Sequence, residues 1–153
     1  MRYWGGCLQA LGFFMVAVFF FLSGYGLYQS TRNNNALVGF AKKKILPFYL
    51  IIVFYTFVYV AYMIVCGSKI EWLSIFRSLT FGGTIIANGW YLQVQLLCYL
   101  MFFFVMRYVS KRYQILAMSI VQIIYIVICL LVCMSFIVYE RALIFVMGMI
   151  WAK

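Results

Sequence analysis

FFFLSGYGLYQSTRNNNALVGFAKKKILP, residues Phe19 to Pro47, is the stretch that decides how this chain folds. An aromatic-rich apolar run ends in Ser23-Gly24-Tyr25. A polar segment follows, then the three lysines Lys42, Lys43 and Lys44, and then a second apolar run opened by a proline. The order is that of a membrane hairpin, with a helix leaving the lipid, a polar connection, and a helix returning. Pro47 falls in the first turn of the returning helix, where its missing N–H costs nothing.

The same reading extends outward. The chain of 153 residues is 69% hydrophobic and 22% aromatic, with a mean hydropathy of +1.09. A water-soluble domain of this size cannot hide that much apolar surface, and long apolar runs read as transmembrane helices. Backbone groups in lipid must be satisfied within the segment, and the runs are continuous rather than short and alternating, which favours helices over a β-barrel. Spans are predicted at roughly Leu8–Tyr28, Ile45–Cys66, Gly89–Met106 and Ile115–Tyr139. A fifth run, Ala142 to Trp151, is well short of the ~20 residues needed to cross the hydrocarbon core, and reads as a span left unfinished. Between the second and third spans, Ser68 to Gly83 places Ile70, Leu73, Ile75 and Phe76 mostly on one helical face, with Lys69, Glu71 and Arg77 interspersed. This reads as a short interfacial helix anchored by Trp72 and broken by Gly82-Gly83. The predicted fold class is all-α: a polytopic integral membrane helix bundle of four full spans, a truncated fifth and one interfacial helix, forming one domain over residues 1–153.

The net charge of +10 sits at the ends of apolar runs, which is a topology pattern and not a nucleic-acid footprint. Membrane lipid is the expected partner and nucleic acid is not. Loop 29–44 holds Arg32 and the three lysines without an acid. Loop 107–113 holds Arg107, Lys111 and Arg112, again without one. Both are expected to be cytoplasmic. Loop 68–89, with Glu71, and the Glu140-Arg141 turn are expected outside. No cleavable signal peptide is apparent. This topology starts outside with nothing to carry the N-terminus there, as a missing upstream helix would explain.

The chain contains no histidine, which removes histidine-based general bases, triads and metalloprotease sites from these residues. Glu71 and Glu140, the only carboxylates, lie in connections and read as solvated loop charges. The five cysteines lack zinc-ligand spacing and read as small buried apolar residues; no metal site is expected. Ser23, Gly24 and Gly26 are compatible with a helical serine bonding a backbone carbonyl and with glycines that allow close packing. Asn88, Tyr91, Gln95 and Tyr99 recur at i, i+3, i+7 and i+11, and so share one helix face beside Trp90. Such a face is either the polar wall of a substrate pocket or an interhelical hydrogen-bonding seam with Trp90 and Tyr91 as interface anchors. Lys42, Lys43 and Lys44 are a headgroup anchor and topology signal. They are also candidates to dock an anionic, phosphate-bearing donor as point charges.

Taken in order, these pieces resemble the acyltransferase-3 family of multi-pass membrane acyltransferases. FFFLSGY at Phe19–Tyr25 is similar to the end of the family's second helix. The basic cluster before Pro47 is similar to the entry of its third. Gly89-Trp90-Tyr91-Leu92 through Tyr99 is similar to its "WfL…Y" helix, and FVMGMIWAK at Phe145–Lys153 to a later segment. The resemblance implies transfer of an acyl group, acetyl above all, from acyl-CoA to a hydroxyl of a cell-surface carbohydrate. It implies a bacterial cytoplasmic membrane as the location and acyl-CoA and a glycan acceptor as partners. It would make Lys42–Lys44 the donor-binding residues, and Ser23, Gly24, Tyr25, Asn88, Trp90, Tyr91, Gln95 and Tyr99 the motif and pocket residues.

There are departures. The family's first helix carries a basic residue and a histidine needed for transfer, and this chain has neither that helix nor a histidine. Its three bases before the proline are all lysines, Gln95 stands where many relatives carry glutamate, and several C-terminal helices are absent. The expectation is therefore a fragment that is inactive on its own, as a truncated gene product would be. The competing expectation is a small non-enzymatic polytopic protein such as a transporter or channel subunit. Oligomeric state, acyl chain and acceptor are not written in the residues.

Overall fold

Uncharged apolar runs form helices in lipid because only a helix satisfies its own backbone there, and every described element of this chain is helical. The computed structural model describes residues 2–31, 38–67, 71–79, 89–132 and 141–153, with side chains from Ala10 onward in the first helix. The elements are α1 (Arg2–Ser30), a π turn (Ala41–Ile45) leading into α2 (Leu46–Val65), α3 (Trp72–Leu79), α4 (Trp90–Tyr108), α5 (Gln114–Leu131) and α6 (Ala142–Trp151). Four stretches are long and apolar enough to cross a membrane: Ala10–Ser30, Ala41–Val65, Trp90–Tyr108 and Gln114–Leu131. The protein is an integral membrane helix bundle. The predicted continuation of the fourth span to Tyr139, with Cys133 and Glu140, lies outside the described residues, as do Arg32, Lys69, Ile70, Gly82, Gly83 and Asn88.

One boundary differs from the sequence reading. Residues 29–44 read as a polar loop, yet the returning helix begins at Phe40, and the lysines ride on it. Gly39, at φ 71°, turns the chain into the helix, and its carbonyl accepts from the Lys43 N–H at 2.9 Å. The Leu46 N–H then reaches back five residues to the Ala41 carbonyl. Pro47 has no N–H, and its ring crowds the carbonyl four residues earlier, that of Lys43. A widened turn just ahead of it relieves that crowding.

The chain divides into two compact units, residues Met1–Val38 with Met101–Lys153, and residues Gly39–Leu100; α4 contributes to both. In the first unit α6 packs along α1 and also against α5. Phe20, Phe102, Met118, Phe145 and Met149 are fully buried there, with the Phe102 and Phe145 rings edge-to-face at 6.2 Å. Arg141, at the start of α6, lies over the Phe13 ring at 4.6 Å, a contact that gains strength away from water. Gln114 closes the end of α4, its Nε2 donating to the carbonyls of Val109 at 3.2 Å and Met106 at 3.4 Å. Leu11, Phe14, Met15 and Leu22 face outward on α1, as lipid-facing side chains do.

In the second unit α3 packs on α2 with its amphipathicity inverted relative to a soluble helix. Ser78 is buried, whereas Trp72, Leu73 and Phe76 are exposed. That arrangement suits a helix lying at a membrane interface, with its apolar side in lipid. Ser74 steadies the first turn, its Oγ donating to Glu71 Oε2 at 3.1 Å.

Candidate functional site

The second unit holds most of the candidate residues. Lys42, Lys43 and Lys44 occupy consecutive positions of the π turn, and all three are exposed. They stand on a helical turn rather than a loop, so their stems start from fixed backbone. One turn beyond Lys44, the Phe48 ring meets the Tyr99 ring of α4 at 5.4 Å. Tyr99 and Tyr91 are half-buried, and Trp90 sits edge-on to Tyr91 at 6.1 Å near the far end of the helix.

Gln95 lies one turn from Tyr99 on the same face. Its side chain is fully buried, and neither its Oε1 nor its Nε2 has a hydrogen-bond partner among the described residues. A buried amide left unpaired costs about 1–3 kcal/mol per group, and so calls for an explanation. Asn88, Tyr91, Gln95 and Tyr99 are expected on one face; in α4 the positions of Tyr91, Gln95 and Tyr99 do share one, and Asn88 lies outside the described residues.

The interhelical seam is made instead by Gln93, which the face pattern passes over. Its Nε2 donates to the Ser78 carbonyl at 2.8 Å. The Ser78 and Thr56 hydroxyls meet at 3.3 Å, and Thr56 Oγ1 donates to the Ile52 carbonyl at 2.8 Å. Thr56 has one proton, which is committed to Ile52, so Ser78 supplies the proton between the two hydroxyls. The seam ties α2, α3 and α4 together through buried polar groups. Gln93 and Gln95 project about 200° apart around the helix, and both are buried. The signal was present in the residues: two intramembrane amides on opposite faces demand a helix enclosed on both sides. Indeed 44% of the α4 span is buried, against 11% of α2, 17% of α1 and 22% of α5.

In the first unit, Ser23 is half-buried, Gly24 buried and Tyr25 exposed. A Cβ on Gly24 would run into the Phe145 carbonyl oxygen, with the Phe145 carbonyl carbon at 2.9 Å. A Cβ on Gly148 would run into the Phe21 carbonyl oxygen, with the Tyr25 nitrogen at 2.9 Å. The two glycines thus interlock α1 with α6, backbone against backbone, as small residues do in membrane helix pairs. Gly26 meets nothing within 4 Å. The Ser-Gly-Tyr motif and the Phe-Val-Met-Gly motif are the two halves of one joint. Among the described residues no group of His, Cys, Asp or Glu is placed to hold a metal ion.

A family profile described as an acyltransferase domain matches residues 1–153. No curated protein and no solved structure matches the chain.

Proposed function

From the membership of this chain in the acyltransferase-3 family, to which it belongs across its length, we propose that its second unit is the donor-docking part of a membrane O-acyltransferase. The observation that carries this reading is the exposed lysine triplet on the first helical turn of α2. Three ammonium groups on fixed backbone suit the clustered phosphates of coenzyme A. The donor is an acyl-CoA, acetyl-CoA in the simplest case, and the acceptor a hydroxyl of a cell-surface carbohydrate. The basic segments 29–44 and 107–113 lie on the cytoplasmic side of a bacterial cytoplasmic membrane, where the thioester is supplied. Trp90 and Tyr91, at the opposite end of α4, line the approach of the acceptor.

In the reaction the acceptor oxygen attacks the thioester carbonyl. Its proton passes to a base, a C–O bond forms, and the C–S bond breaks to expel the CoA thiolate, which takes the proton back from the base and leaves as the thiol. The 153 residues contain no histidine and only two carboxylates, so they offer no imidazole as that base. Lysines anchor the donor and the aromatic and amide groups of α4 position it, but the chain by itself does not turn over.

The test is a titration of the purified chain in lipid nanodiscs with coenzyme A. Binding should weaken as salt rises, and the combined Lys42→Ala, Lys43→Ala, Lys44→Ala variant should lose about tenfold or more in affinity. A wild-type chain that does not bind CoA, or a variant that binds as well as wild type, would remove the basis of this reading. In the same preparation, acyl transfer from acetyl-CoA to a polysaccharide should be absent. Turnover would show that the base lies within these residues after all.

A further inference from the structure

The buried amide of Gln95 lacks a partner on both its oxygen and its nitrogen among the described residues. Among the described residues of α4 it is the buried side chain whose donor and acceptor are both left over. Its place in the second unit is defined by two flanking contacts. On one side, the Phe48–Tyr99 ring contact at 5.4 Å brings α2 and α4 together one turn before it. On the other, Gln93 donates to Ser78, which meets Thr56. From Phe48 to Thr56 along α2, and from Tyr99 to Gln93 along α4, the chain advances toward Ser78 on both helices. Gln95 therefore lies between these two levels. Lys44 lies one turn, about 6 Å, before Phe48, and Gln95 lies about 6 Å past Tyr99, so the amide sits ~12 Å deeper than the lysine turn.

Resting on the donor-docking reading above, we infer that Gln95 is a binding residue for a secondary amide of the ligand, namely that of the pantetheine arm of acyl-CoA. A secondary amide presents one N–H and one C=O, which complements a primary carboxamide at both of its open positions. The lengths agree. The carbonyl of the amide nearer the thiol is about nine bonds from the phosphorus, or ~10–11 Å when extended at the spacing of a stretched chain. Phosphates held at Lys42–Lys44 bring that amide to the depth of Gln95, with the thioester one short segment further, toward Gln93 and Ser78. The path to that depth runs along the Phe48–Tyr99 level, where the two rings meet at 5.4 Å. An N-acetylated sugar of the acceptor carries the same amide chemistry, and the experiment separates the two sources.

Gln95→Leu replaces the amide with an apolar side chain of similar size. A second variant, Gln95→Met, guards against a branching clash. Both are purified in nanodiscs beside the wild-type chain. Each is titrated with coenzyme A, with adenosine 3′,5′-bisphosphate, which has phosphates but no pantetheine, and with an N-acetylglucosamine oligomer. The expected result is an affinity for coenzyme A about tenfold weaker in both variants, with the bisphosphate bound as in the wild type. Equal losses for coenzyme A and the bisphosphate, or no loss for either, overturn the assignment. Loss confined to the N-acetylglucosamine oligomer moves the amide to the acceptor and overturns the pantetheine assignment. The wild-type titration separates the two readings: tight binding of coenzyme A with Gln95 indifferent sinks only this inference, whereas no binding at all sinks the donor-docking reading with it.

Discussion

A methyl group on Gly24 has nowhere to go. The position it would take is filled by the backbone of Phe145, and backbone cannot swing aside as a flexible side chain can. Gly24→Ala and Gly148→Ala are each expected to lower stability by about 1–3 kcal/mol through overpacking, measured as the shift of the denaturation midpoint in detergent. Gly26→Ala serves as the opposite case. Nothing lies within 4 Å of the position, and alanine is favoured over glycine in a helix by up to ~1 kcal/mol, so its midpoint should stay level or rise. The residues alone assign close packing to Gly24 and Gly26 alike. They differ by about 200° around the helix, and only the position of α6 decides which one touches it. That Gln93 is enclosed was legible, but its partner was not, because that partner is the backbone carbonyl of Ser78. A carbonyl leaves no trace in the sequence pattern.

At the scale of elements, the apolar runs spell out the helices well because a long continuous run in lipid must satisfy its backbone within itself. What the runs do not reveal is where a helix starts inside a basic segment. Lysines are good helix formers, so the π turn and its charges join α2 instead of the loop. The orientation of those charges depends on Pro47. Pro47→Ala restores an N–H and removes the crowding of the Lys43 carbonyl, allowing the π turn to relax into α register. That change would rotate the lysines by about 100° relative to α2. The expected outcome is slower hydrogen exchange over residues 41–47 together with weaker coenzyme A binding, although no charge has been altered. For α3, whose buried residue is a serine, the hold on the bundle is the seam of Thr56, Ser78 and Gln93. Gln93→Leu should therefore speed hydrogen exchange over residues 72–79 while leaving the content of long helices unchanged. A comparable loss of protection throughout α2 would contradict so local a role.

For the whole molecule, helical class and membrane insertion follow from composition, and sidedness is the expectation that the placement of the bases raises. Cys66 offers a direct check of the latter. It is free and exposed at the end of α2 opposite the lysines, against the expectation that the cysteines are buried, which Cys98 and Cys129 do meet. With Cys7 and Cys133 replaced by alanine, a membrane-impermeant maleimide should label Cys66 in intact cells. A Lys43→Cys variant lacking Cys66 should be labelled only after permeabilisation; the reverse pattern would invert the topology. One consequence concerns how this protein is made. α4 is the least apolar of the four long helices and the most enclosed, and its buried glutamines face opposite ways. A helix with amides on both flanks gains little from lipid tails on either side, and leaves the translocon poorly matched to the bilayer. It must be received by helices already inserted. The segment that carries the buried amides is thus the one whose insertion depends most on its neighbours, and each further polar atom added there draws on the same narrow margin.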